Sequence, residues 1–160
     1  MKISEELLDR ESIDNVTSIT EEVLSQIRLP KADSLLHAID LAVYDWQDSG
    51  SPPESGEFDK DDVLYAFGTT WGNAIVSQHG WHWSDLTFHE HDDWVGRSVV
   101  SPDASLYILP YAHIHECLGG SDEVKISASL SVINSNVIPP LDANSYTNLI
   151  HNIQRIIPRL

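Results

Sequence analysis

Residues 71–94, WGNAIVSQHGWHWSDLTFHEHDDW, hold four of the five tryptophans and four of the eight histidines of the chain. The stretch changes period in its middle. Up to His79 the apolar residues continue a helical stripe, Leu64, Phe67, Trp71, Ala74 and Ile75, the spacing of one helix face. Asp59 or Asp61 is placed to cap that helix and Gly80 to stop it. Gly68 and Gly72 share a face, which invites close approach of a neighbour at some cost in helix propensity. From Trp81 onward the residues are aromatic and β-branched, so Trp83–Glu90 and Trp94–Val100 read as strands. Phe67 and Trp71 are expected to be buried where helix and strands meet.

Reading outward, Ser101-Pro-Asp-Ala suits a type I turn with Pro102 second, and Leu106–Leu109 follows as a third strand. Tyr111, Ile114 and Leu118 suit a short helix closed by Gly119-Gly120. Val124, Ile126, Ala128, Leu130 and Val132 alternate with Lys125, Ser127, Ser129 and Ser131, which predicts a half-buried strand. A final helix is expected after Pro139-Pro140, capped by Asp142, with Tyr146, Leu149, Ile150, Ile153 and Ile157 as its stripe. On the N-terminal side, short helices are expected near Ser4 and near Thr20. A longer helix through Leu35, Ile39, Ala42, Val43 and Trp46 should end at Gly50, before the Ser51–Gly56 loop. The fold class is α+β: an antiparallel β-meander of three to four strands packed against N-terminal and C-terminal helices. Residues 1–160 form a single domain, with 1–58 a helical N-terminal part and 59–160 a helix, the sheet and the C-terminal helix.

A chain of 160 residues with 41% hydrophobic content is long enough to bury a core without covalent staples. Its single cysteine, Cys117, excludes an intramolecular disulfide. The N-terminus turns acidic by Glu5 and lacks the apolar run of a signal peptide. No apolar segment approaches the roughly 20 residues of a membrane span. A cytoplasmic protein is expected. The formal net charge is −16, and between Ala32 and Gln154 only Lys60, Arg97 and Lys125 oppose 18 carboxylates. Such a field repels nucleic acid and anionic lipid, so neither is expected as a partner, and it attracts a basic protein.

The acidic knot His89-Glu90-His91-Asp92-Asp93 is where chemistry is sought first. In an extended segment His89, His91 and Asp93 would share one face, and two imidazoles with a carboxylate match the ligands of a catalytic zinc or iron. A further ligand would have to come from His113 or His115, which point apart if Tyr111–Leu118 is helical. No His-Glu-x-x-His pair, closed zinc spacing, phosphate-cradling glycine loop or Gly-x-Ser-x-Gly elbow is present. Cys117 lies on the apolar stripe of its helix next to Glu116, which disfavours a thiolate. Trp81 and Trp83, beside Leu86 and Phe88, read as core. No catalytic residue, cofactor or resident metal is therefore expected.

Phe67-Gly-Thr-Thr-Trp71-Gly72, Gly80-Trp-His-Trp83, Thr87-Phe-His-Glu-His-Asp-Asp93 and Val99-Val-Ser-Pro-Asp103 resemble motifs in a group of small acidic bacterial proteins. Some similar proteins serve as immunity partners of antagonistic toxins. The resemblance spans roughly Val63–Leu118 and implies a bacterial, cytosolic setting rather than an activity. The leading expectation is a non-enzymatic binding protein, an immunity-type protein that neutralises a basic toxin through an acidic face. Its partner-binding residues would be Glu90, Asp92 and Asp93, with Trp94 as an aromatic anchor. The alternative is a metal-dependent hydrolase using His89, His91 and Asp93.

Overall fold

The computed structural model describes residues 2–156. It is an α+β fold of six helices and five strands: β1 (Ile3–Leu7), α1 (Arg10–Ser25), α2 (Leu35–Ser49), α3 (Lys60–His79), β2 (His82–Phe88), β3 (Trp94–Val100), β4 (Leu106–Ile108), α4 (Pro110–Leu118), α5 (Ile126–Asn134), β5 (Thr147–Asn148) and α6 (Leu149–Ile156). The sheet runs in the order β1-β2-β3-β4-β5. Its first four strands are antiparallel, and β5 joins β4 in parallel. No described helix is long and apolar enough to cross a membrane.

The helix at the centre forms for local reasons. Asp59 caps α3 reciprocally with Asp62, each carboxylate accepting the other's backbone N–H, and Gly80 closes it in the left-handed conformation at φ 71°. Phe67 and Trp71 are fully buried, as expected. Gly68 and Gly72 let the neighbours in. A β-carbon at Gly72 would lie 2.2 Å from the Trp83 ring, and one at Gly68 would lie 2.4 Å from that of Tyr111. The Trp71 indole N–H donates to Ser129 Oγ at 2.8 Å, and that of Trp83 donates to Asn73 Oδ1 at 2.9 Å, so both polar edges are satisfied inside.

The pleat divides the core. Trp83, Val99 and Ile108 join the main apolar cluster with α1–α5, while Leu86, Phe88, Val100 and Tyr107 form a second cluster closed by Ile3, Leu109 and Tyr146.

Four expectations are corrected. The Ser4 region is strand β1, paired with β2 from Ile3↔Phe88 to Leu7↔Ser84, and not a helix. The helix that follows is capped by Asp9, which accepts the Ser12 N–H at 2.7 Å, and it passes straight through buried Thr20. Val124–Val132 is not a strand, since α5 occupies it. The buried Asp40 carboxylate accepts the Ile126 N–H at 3.1 Å, the Ser127 N–H at 3.2 Å and the Ser127 hydroxyl. It thereby satisfies two of the first-turn N–H donors that a helix leaves open. Burial pushes the Asp40 pKa up, against those hydrogen bonds. The last helix begins at Leu149 rather than near Asp142, with Asn148 Oδ1 accepting the His151 N–H at 3.2 Å. Tyr146 stands outside it at φ 46° and donates its hydroxyl to Glu5 Oε1 at 2.7 Å. Ile157 lies outside the described residues.

Candidate functional site

The strands β2 and β3 are joined by a turn over residues 89–93. The His91 N–H donates to the Phe88 carbonyl at 3.0 Å and the Trp94 N–H to the His91 carbonyl at 3.1 Å. To fold back so tightly, Asp92 and Asp93 take the left-handed conformation at φ 55° and 54°, a region that aspartate and asparagine tolerate better than most residues. The segment is curled, not extended, so the condition under which His89, His91 and Asp93 would share one face is not met. Only His89 and Asp93 meet, at 2.7 Å through Nδ1, while Nε2 of His89 sits 2.6 Å from Ser4 Oγ. Both ring nitrogens are thus engaged, and the turn is tied to β1. His91 faces a groove instead. His113 is buried and His115 exposed, so the supply of a further ligand is divided as expected. Among the described residues no group of three His, Cys, Asp or Glu side chains is gathered to hold a metal ion.

Glu90, Asp92 and Asp93 are all exposed. Trp94 is 48% exposed. Its ring folds back over Gly96, where a β-carbon would come within 2.7 Å of it, and packs against Phe88 with centroids 5.4 Å apart. The anchor is therefore held in place before any partner arrives.

Beside the turn lies a groove of about 1170 Å³. Among the described residues, seven large hydrophobic side chains are exposed: Leu7, Ile19, Leu35, Tyr65, Trp94, Val95 and Val137. Four of them, Ile19, Tyr65, Trp94 and Val95, line this groove. They come from α1, α3 and β3, and the sequence reading singled out only Trp94. The available signal was weak: Ile19 and Tyr65 are apolar residues lying off the buried stripes of their helices. Asp61, Asp62, Asp85 and Glu116 add carboxylates to the lining, where Arg97 is the one lysine or arginine among the described residues. Asp85 takes that charge in a two-point contact at 3.0 and 3.2 Å, which raises the guanidinium pKa. Tyr65 is braced edge-on by Tyr111 at 5.2 Å, and Tyr111 in turn stacks on Trp83 and hydrogen-bonds Thr69 Oγ1 at 2.7 Å.

A second constellation lies in the interior and was not singled out as a pair. Cys117 Sγ is 3.6 Å from His113 Nε2. Burial first, then Asp122 and Glu116, pushes the thiol up to about 11. Burial first, then Lys125, pulls the imidazole down to about 4. The pair is neutral, opposite to the thiolate–imidazolium of a cysteine nucleophile, and His113 Nε2 accepts the Lys125 backbone N–H at 3.2 Å. It is a packing element.

No family model, curated protein or solved structure matches this chain.

Proposed function

We propose that the protein is a non-enzymatic binding protein that takes a basic protein partner on the acidic β2–β3 turn. Its most concrete form is an immunity-type protein neutralising a cationic toxin in the cytoplasm. One observation carries the reading: Glu90, Asp92 and Asp93 are exposed together on a turn that His89 pins to Ser4, with half-exposed Trp94 at its end. Three exposed carboxylates within four residues make a concentrated negative patch, and a cationic partner would complement it. Interior groups with chemical potential are spent on structure, Asp40 as the cap of α5 and His113 as acceptor for Lys125.

Capture from the native host followed by kinetics tests this. The captured protein should be basic, its on-rate should fall steeply with salt because exposed charges are screened over about 10 Å at 0.1 M ionic strength, and co-expression should protect the host from it. An acidic partner, or an on-rate indifferent to salt, overturns the proposal.

A further inference from the structure

The groove beside the turn borders a part of the β3 edge that carries no strand partner among the described residues, with α4 forming its opposite wall. Strand β4 pairs with only two residues of β3, Val99↔Ile108 and Val100↔Tyr107, before the chain turns at Pro110 into α4. Residues 94–98 therefore have no strand on that side among the described residues. The register shows which backbone groups face outward. The Leu8 N–H bonds the Trp83 carbonyl and the His89 N–H bonds the Lys2 carbonyl, so odd-numbered β2 residues turn toward β1 and even-numbered ones toward β3. Across the Leu86↔Gly96 pair, Trp94, Gly96 and Ser98 then face β2, and Val95 and Arg97 turn their N–H and C=O groups to the open edge. The Ser101 N–H to Leu106 carbonyl bond on the same side confirms the phase. Trp94 and Val95, which the pleat sends to opposite faces, both border the groove because it embraces that edge.

We propose that this groove receives an extended, cationic segment of the partner, which adds as a strand to the 94–98 edge of β3. The inference rests on the binding-protein reading and specifies its contact. Val95 and Arg97 supply main-chain hydrogen bonds, and side chains on alternate sides of the incoming strand meet Trp94 on one face and Val95, Tyr65 and Ile19 on the other. Charge selects the occupant. Among the described residues the groove's carboxylates outnumber its one arginine, which is already paired, and the acidic turn continues its rim. A second copy of a chain with formal charge −16 would bring the same carboxylates face to face, whereas lysines and arginines flanking an apolar strand complement them.

The test uses synthetic peptides of about six residues, an ordinary strand length, and the intact protein. Trp94 is the reporter, since the other four tryptophans are buried. A peptide alternating valine and lysine should blue-shift the Trp94 emission. It should bind at least about tenfold more tightly, a 1.4 kcal/mol difference, than valine–glutamate or serine–lysine counterparts. Methylating alternate peptide amides should abolish binding in one phase and spare it in the other, because only one set of N–H groups faces β3. Val95→Pro removes an edge donor that β2 does not use, a position where strands tolerate proline, and should weaken binding as strongly. Tyr65→Lys should also weaken it, whereas Leu35→Lys, the same change on an exposed hydrophobic residue outside the groove, should not. Equal binding of both methylated phases, or no binding of the valine–lysine peptide, overturns strand addition. Serine–lysine binding as tight as valine–lysine overturns the groove and leaves the acidic turn standing alone. Preference for valine–glutamate overturns the cationic occupant and the binding-protein reading with it.

Discussion

The contact between α3 and the sheet and the turn between β2 and β3 are both built around tryptophan, and they use it in opposite ways. Trp71 is wholly enclosed, its indole N–H given to Ser129 and its ring met edge-on by His113 at 5.4 Å. Trp94 is half exposed, resting on Gly96 and Phe88 at the mouth of a groove. In the first region no buried side-chain nitrogen or oxygen among the described residues lacks a hydrogen bond, and Gly68 and Gly72 stand where a β-carbon would strike Tyr111 and Trp83. In the second, carboxylates and apolar rings face water, and the backbone is bent through two left-handed aspartates. Burial separates scaffold from surface where residue type alone does not.

The largest expected effect breaks the first region. Trp71→Ala should cost about 3–5 kcal/mol, the range of large aromatic truncations in cores, and should leave Ser129 without its indole donor. Trp94→Ala should cost about 1 kcal/mol, mainly its aromatic pairing with Phe88. Denaturant unfolding of the two variants measures both, and equal losses would erase the contrast.

How much of this contrast is legible in the sequence differs along the chain for a physical reason. Helix α3, its Asp59 cap and Gly80 stop, the helix ending at Gly50, strands β2 to β4 and the short helix α4 follow from residues close together in sequence. The strand expected over Val124–Val132 failed because the same stretch also carries a helical stripe, Ile126, Ser129 and Leu130, which Ile133 continues. Ser129, a wet position in the strand reading, is fully buried against Trp71. The deciding group is Asp40, distant in sequence, whose carboxylate binds the first turn of α5. Strand β1 was hidden in the same way. Its Glu5 is buried in part, which pushes its pKa up, but hydrogen bonds from Ser84, Tyr146 and His82 outweigh this and hold it below the usual carboxylate value. All three partners lie far along the chain. At the candidate site the charged turn was legible because it is contiguous. The groove was not, because Ile19, Tyr65 and Val95 converge only in the folded chain.

The next effect concerns acid. His113 lies on the packed side, and its imidazole is held down to about 4 from an ordinary 6.5, by burial first and by Lys125 second. The unfolded chain therefore binds the proton more readily. Stability from this group is fully present above about pH 6.5 and is lost as pH falls toward about 4, on the order of 3 kcal/mol in all. Thermal midpoints measured between pH 7 and 4 should fall, and His113→Phe, which cannot titrate, should flatten the part of the slope between those two values. An unchanged slope in the variant would show that carboxylates alone carry the acid sensitivity.

The smallest expected effect on stability belongs to the turn, and it sharpens the comparison most. Reversing Asp92 and Asp93 to lysine would test charge but also place a residue poorly suited to φ 55° and 54° at two successive positions. Asparagine is the cleaner substitution, because it tolerates the left-handed conformation and keeps the side-chain shape while removing the charge. Asp93→Asn also preserves an acceptor oxygen toward His89 Nδ1, 2.7 Å away in the native turn. The double variant Asp92→Asn, Asp93→Asn should therefore unfold within about 0.5 kcal/mol of the native protein, as exposed substitutions do. Its association with a basic partner should nonetheless slow, with the rates converging as salt is raised. The same two residues would then be nearly silent in stability and prominent in binding kinetics, the reverse of Trp71. A large loss of stability in the double variant would place the carboxylates among the groups that hold the fold, and the turn would no longer differ in kind from the α3 contact.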